Sequence, residues 1–162
     1  MKGVTRLGWT SFAIAAVAIV LDQAVKSWIL YGLKLPEIAT VPVAGPFHLT
    51  MVWNAGVSFG FLRADHDLVR WMLVAFSVIV ALMLAGWARR SDRLASAVGL
   101  GLVMGGAVGN AIDRARFGAV VDFVDVSRLW FPWVFNVADS AISVGVALLL
   151  LDSLRRERPA ES

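Results

Sequence analysis

Four apolar runs, at residues 7–30, 68–87, 94–112 and 134–151, constrain this chain more than any other feature. Each comes close to the ~20 residues a helix needs to cross a ~30 Å hydrocarbon core. The rest of the composition agrees: 59% of the 162 residues are hydrophobic and 17% charged. Soluble domains hold roughly 45–50% apolar and about 25% charged residues, so a water-soluble globule of this size could not hide so much apolar side chain. The expected fold is an all-α integral membrane protein with four transmembrane helices. Residues 1–162 are read as a single polytopic domain, in keeping with a one-domain length.

The first run resembles a secretory leader, because Lys2 and Arg6 precede it. No small-residue cleavage pattern follows; Asp22-Gln23-Ala24-Val25-Lys26 comes next, then three further spans. It is read as a retained helix. Orientation follows from the basic residues outside the spans. Lys2, Arg6, Arg89, Arg90, Arg93, Arg155, Arg156 and Arg158 crowd into three short segments. Lys34, Arg63, Arg114, Arg116 and Arg128 are spread over two longer ones, residues 31–67 and 113–133. Both termini are therefore expected in the cytoplasm and the long loops outside. The same clustering accounts for the net charge of +3 and a pI near 10.0 without a nucleic-acid partner.

The outer loops carry structure signals of their own. In 47–53, Phe47, Leu49, Met51 and Trp53 alternate with His48, Thr50 and Val52, the period of a half-buried strand. Residues 118–126, rich in β-branched valine, also read as extended. A small β-sheet on the outer face is expected, with Asp65-His66-Asp67 capping the second span or a short interfacial helix leading into it. In the third span, Gly101-x-x-x-Gly105 lets a neighbouring helix backbone come close.

Charged residues within a membrane span cost ~2.5–3.5 kcal/mol each on insertion scales, so each asks for a partner or a task. Asp22 and Lys26, at i and i+4, share a helix face and can neutralise each other, and Lys26 lies near enough to the span's end to snorkel. A second polar group gathers by topology. The third span ends in Asn110-Ala-Ile-Asp113-Arg114 and the fourth begins with Asn136-Val-Ala-Asp139-Ser140, so both fall at the outer face. Between them lie Asp122 and Asp125 in an apolar extended stretch, and Asn54-Ala55-Gly56 follows the outer strand.

Two carboxyl groups in a low-dielectric site can share one proton, giving one base to activate water and one acid to polarise a carbonyl. Such a pair hydrolyses an amide without thiol, histidine or metal. This chain has no cysteine, only His48 and His66, and no H-E-x-x-H. If the protein is an enzyme, elimination favours an aspartic mechanism. Asp122 and Asp125 point to opposite faces of a strand, and Asp113 is expected to be taken by a neighbouring arginine. Spacing leaves Asp139 with either Asp122 or Asp125. The bland alternative is that these acids cap helices and pair with Arg114, Arg116 and Arg128. Gly56-Val57-Ser58-Phe59-Gly60 matches G-x-S-x-G but lacks an acid and histidine in the required order. A Ser–Lys dyad using Lys26 and a non-enzymatic transporter or proton-relay subunit using Asp22 and Lys26 are the competing readings. No repeat symmetry supports the transporter.

Five blocks resemble the bacterial lipoprotein signal peptidase (signal peptidase II) family. They are Asp22-Gln23-x-x-Lys26, Asn54-x-Gly56-x-x-Phe59, Gly105-Gly106-x-x-Gly109-Asn110-x-x-Asp113-Arg114, Val120-Val121-Asp122-Phe123 and Phe135-Asn136-x-Ala138-Asp139-Ser140, in the family's order. The resemblance implies an aspartic endopeptidase of the bacterial inner membrane. It would remove signal peptides from diacylglyceryl-modified prolipoproteins, cutting immediately before the lipidated cysteine. The implied catalytic pair is Asp122 and Asp139, with no metal and no cofactor. Asn54, Gly56, Asn110, Arg114 and Asn136 match positions that hold substrate or inhibitor, and Asp22 and Lys26 match a supporting polar pair. Membrane lipid and globomycin-type inhibitors are the other implied partners. The outer strand and residues 63–67 are expected to clamp the peptide, by analogy with the family's sheet and interfacial helix. Asp125 is an additional acid, and its part stays open.

Overall fold

A computed structural model of the chain describes residues 3–56, 67–129 and 133–156. Among the described residues, four helices are long and apolar enough to cross a membrane. The first, α1 (Arg6–Ser27), starts at Thr5, whose hydroxyl accepts from the Gly8 N–H at 2.9 Å. It runs on through a wider π-helical turn, Trp28–Gly32. A short helix α2 (Leu35–Ile38) with Pro36 in its first turn leads to β1 (Thr40–Ala44) and β2 (Phe47–Asn54). Then come α3 (Asp67–Ala88), α4 (Leu94–Phe117), β3 (Val120–Asp125), β4 (Val134–Phe135) and α5 (Val137–Arg156).

Helix α4 is the centre of the bundle and packs against α1, α3 and α5. Its glycines make this possible by facing two ways. A Cβ on Gly101 would lie 2.6 Å from the Ser11 carbonyl oxygen, and one on Gly105 2.6 Å from the Ala18 Cβ, both on α1. Gly99 meets Gly145 of α5, and Gly106 meets the Ala138 carbonyl. Small residues such as Ala15, Ala18, Ala97 and Ala111 fill the buried interior, whereas Trp9, Phe76, Leu82, Met83 and Leu150 are exposed. This is the packing of helices whose outer surface meets lipid, where close approach and not exclusion of water holds them together.

The strands form one antiparallel sheet in the order β1-β2-β3-β4, at the end of the bundle where α1 and α4 finish and α3 and α5 begin. Pro42 is tolerated because β1 is an edge strand. The β2–β3 pairing steps from Leu49 opposite Val124 to Val52 opposite Asp122, so β2 carries an extra residue there. That bulge interrupts the alternation expected of 47–53. Beyond it, Val52 and Asn54 share the face of Asp122.

Two span limits differ from expectation. The third helix continues past residue 112 to Phe117, because Asn110 and Asp113 are buried among protein groups and need no exit from the bundle. It ends at Gly118, whose φ of +81° suits a left-handed cap. The fourth helix begins at Val137 and not at 134, since Val134 and Phe135 pair with β3. Asp67 opens α3, while the interfacial-helix and clamp residues 63–66 and most of the G-x-S-x-G stretch, 57–60, lie outside the described residues.

Candidate active site

At the sheet end of the bundle, four elements bring polar groups to one cavity of about 680 Å³. Asp122 comes from β3, Asp139 from the first turn of α5, Asn110 and Arg114 from α4, and Asn54 from the end of β2. Apolar side chains line it as well: Leu73 and Phe76 of α3, and Ile142 and Val144 of α5.

Asn136 organises the entry to α5. Its side-chain oxygen accepts from the Asp139 N–H at 2.8 Å, and Asp139 Oδ2 accepts in return from the Asn136 N–H at 3.3 Å. This reciprocal cap explains the N-x-x-D spacing. The other end of the same amide points into the site. Asn136 Nδ2 donates to Asp122 Oδ1 at 2.7 Å and to Asn110 Oδ1 at 3.1 Å. Asn110 Nδ2 donates to Asp139 Oδ1 at 2.8 Å, and Asn54 Nδ2 to Asp122 Oδ2 at 3.0 Å. Two asparagines thus tie the two carboxyl groups together, and each carboxyl receives two donors.

Asp122 is 1% exposed. Burial, and next the charge of Asp139, push its pKa from 3.8 up to about 7, against the pull of the Asn54 and Asn136 hydrogen bonds. Near neutral pH Asp122 can therefore hold a proton.

Asp22 and Lys26 pair at 2.9 Å as the i, i+4 spacing anticipates. Lys26 does not snorkel: it is 2% exposed and turned inward. Asp113 is not taken by an arginine; Lys26 reaches its Oδ2 at 2.7 Å. The Val121 N–H donates to the same oxygen at 3.1 Å, and Gln23 Nε2 to the other at 2.9 Å. Asp22 Oδ1 in turn accepts from the Ala138 N–H at 2.9 Å. This network ties the backbone beside Asp122 and beside Asp139 to α1. The sequence assigns Asp113 to an arginine and gives Gln23 no task of its own; the i, i+3 spacing of Asn110 and Asp113 is the signal that places Asp113 beside the site.

Freed from Asp113, Arg114 turns toward the cavity. Its terminal nitrogen lies 3.4 Å from the Gly56 carbonyl oxygen, and its Nε is buried without a hydrogen-bond partner among the described residues. Asp125 belongs elsewhere: Thr50 donates to it at 2.7 Å and the Ser127 N–H at 2.8 Å. The Ser127 side chain, then Thr50, hold its carboxyl below the usual range.

Comparison with known proteins is consistent with this arrangement. Residues 14–155 match the family model described as signal peptidase (SPase) II. A lipoprotein signal peptidase of Caulobacter vibrioides is 59% identical over 155 residues, covering 95% of this chain and 92% of that protein. One from Rhodopseudomonas palustris is 45% identical over 145 residues, covering 86% and 88%. Among solved structures, a bacterial membrane enzyme determined by the in meso method at 2.3 Å resolution superposes with a TM-score of 0.82. It is 27% identical and covers 100% of this chain and 99% of its own. By the matched length and these identities, the chain belongs to the signal peptidase II family.

Proposed function

We propose that this protein is an aspartic endopeptidase that cleaves the signal peptide from diacylglyceryl-modified prolipoproteins, immediately before the lipidated cysteine, with Asp122 and Asp139 as the catalytic pair. The observation that carries the reading is the convergence of these two carboxyl groups in one cavity, joined through the amides of Asn110 and Asn136. Family membership supplies the substrate class.

In this scheme Asp139 is the base. It takes a proton from water as the water oxygen attacks the scissile carbonyl, and Asp122 gives its proton to the carbonyl oxygen. The tetrahedral intermediate collapses when Asp139 passes the proton it took from water to the leaving nitrogen and Asp122 takes back the hydroxyl proton as the carbonyl re-forms, so one water is consumed per bond cut and the pair is restored. The place of Arg114 in the cavity wall supports a role for its guanidinium in holding a substrate carbonyl, with Asn54 and Gly56 lining the same approach. The apolar walls suit an acyl chain or apolar signal segment. Globomycin-type inhibitors are expected to occupy the same cavity. The distribution of basic residues supports an inner-membrane protein with both termini cytoplasmic and the cavity outward.

The test is cleavage of a diacylglyceryl-modified prolipoprotein by purified protein, read by mass spectrometry. Wild type is expected to release the signal peptide with the lipidated cysteine as the new N-terminus, while Asp122→Asn and Asp139→Asn lose at least about 1,000-fold in rate. Appreciable cleavage by either variant removes that residue from the pair.

A further inference from the structure

Lys26 makes one bond more than a buried counter-ion requires. Its ammonium lies 2.9 Å from Asp22 Oδ2 and 2.7 Å from Asp113 Oδ2, which accounts for both acids of the α1–α4 interface. The third contact goes to a neutral amide, Asn110 Oδ1, at 3.1 Å. That oxygen already accepts from Asn136 Nδ2 at 3.1 Å. Three ammonium protons therefore meet three acceptors, and the last of these belongs to the residue that donates to Asp139.

From this geometry we infer that Lys26 is a positioning residue for the reacting pair, acting through Asn110 to fix which end of that amide faces Asp139. The inference rests on the reading of Asp122 and Asp139 as that pair. An asparagine amide has a donor end and an acceptor end that differ little in shape. Were Asn110 to turn over, its NH₂ would face the ammonium and the Asn136 NH₂, both donors, and its oxygen would face the Asp139 carboxylate. With Lys26 in place the turned form loses every hydrogen bond the amide now makes, so Asn110 Nδ2–H stays aimed at Asp139 Oδ1. The ammonium also polarises the amide and strengthens that donor in a site with little water. Without Lys26 the flip would be opposed by Asn136 and by the Asp139 carboxylate alone, and Asn136 is itself a shared amide on Asp122. The ionisable groups that bear on this relay are Asp22 on α1, Asp113 and Arg114 on α4, Asp122 on β3 and Asp139 on α5.

The test compares Asp113→Asn with Asp113→Asn/Lys26→Met, so that the cation is removed from a background that has lost one of its acids. Lys26→Met alone would leave two buried acids without a cation and invites misfolding. Asp22→Asn against Asp22→Asn/Lys26→Met gives a second pair, each double variant leaving one buried acid in place of two, should the first not fold. Rates on the diacylglyceryl-prolipoprotein are expressed per folded molecule, as a function of pH. Loss of Lys26 is expected to lower kcat on the order of 10- to 100-fold with KM within about twofold, and to displace the pH profile of kcat from that of the reference variant. A purely structural Lys26 would reduce folded yield and leave kcat and its pH profile as in the reference; that result overturns the inference. Asp139→Asn runs in the same assay: if it cleaves, the reading of the pair fails, whereas an inactive Asp139→Asn beside unaltered Lys26 variants sinks the positioning role alone.

Discussion

At the scale of single residues, Asp122 and Asp125 show how placement decides the chemistry of two identical side chains three positions apart. Asp125 is satisfied within the sheet by Thr50 and Ser127. Asp122 is buried beside Asp139, and its pKa rises from 3.8 to about 7. The folded protein therefore keeps a proton that the unfolded chain gives up over that interval, and stability falls as pH climbs from about 4 to about 7 before levelling off. Asp122→Asn has no such group to titrate. In detergent, wild-type Tm is expected to drop between pH 5 and pH 8 by more than the variant's does; parallel drops would contradict the assignment. Asp125→Asn is expected to cleave within about twofold of wild type, and a large loss would bring Asp125 back into the chemistry.

At the scale of elements, the glycines of α4 separate close packing from mere permissiveness. A methyl at Gly106 would press on the Ala138 carbonyl one residue from Asp139, whereas one at Gly86 on α3 meets nothing within 4 Å. Gly106→Ala is expected to destabilise by about 1–3 kcal/mol and Gly86→Ala to be neutral or stabilising by up to about 1 kcal/mol. Thermal unfolding of the two variants side by side checks both, and equal effects would refute the packing argument. Much of this level was legible in the sequence: the apolar runs, the strand at 47–53 and the Gly101/Gly105 face are local patterns. The two N-x-x-D segments looked alike yet work differently. Asn136 and Asp139 cap α5 reciprocally, while Asn110 and Asp113 divide between the cavity and Lys26. Nor did the alternation disclose the bulge that turns Asn54 toward Asp122. Both depend on partners distant in sequence, 29 residues for Asn110 and Asp139 and 68 for Asn54 and Asp122, which no local periodicity encodes.

For the whole molecule, small side chains inside and large apolar ones outside describe a bundle built for lipid, with its polar machinery gathered at one end. The chain lacks cysteine, so its orientation is directly measurable. Val43→Cys, on the exposed edge strand, is expected to react with an impermeant thiol reagent in intact spheroplasts, and Arg90→Cys only after permeabilisation; the reverse pattern would invert the proposed topology. Everything else turns on whether Asp122 and Asp139 hold one proton between them. Infrared titration of the protonated carboxyl band in the purified protein addresses this directly. The account predicts a band in wild type that fades with a midpoint near pH 7, is missing in Asp122→Asn, and fades at lower pH in Asp139→Asn. A band that persists in Asp122→Asn, or a wild-type protein with both groups already ionised at pH 5, would contradict it.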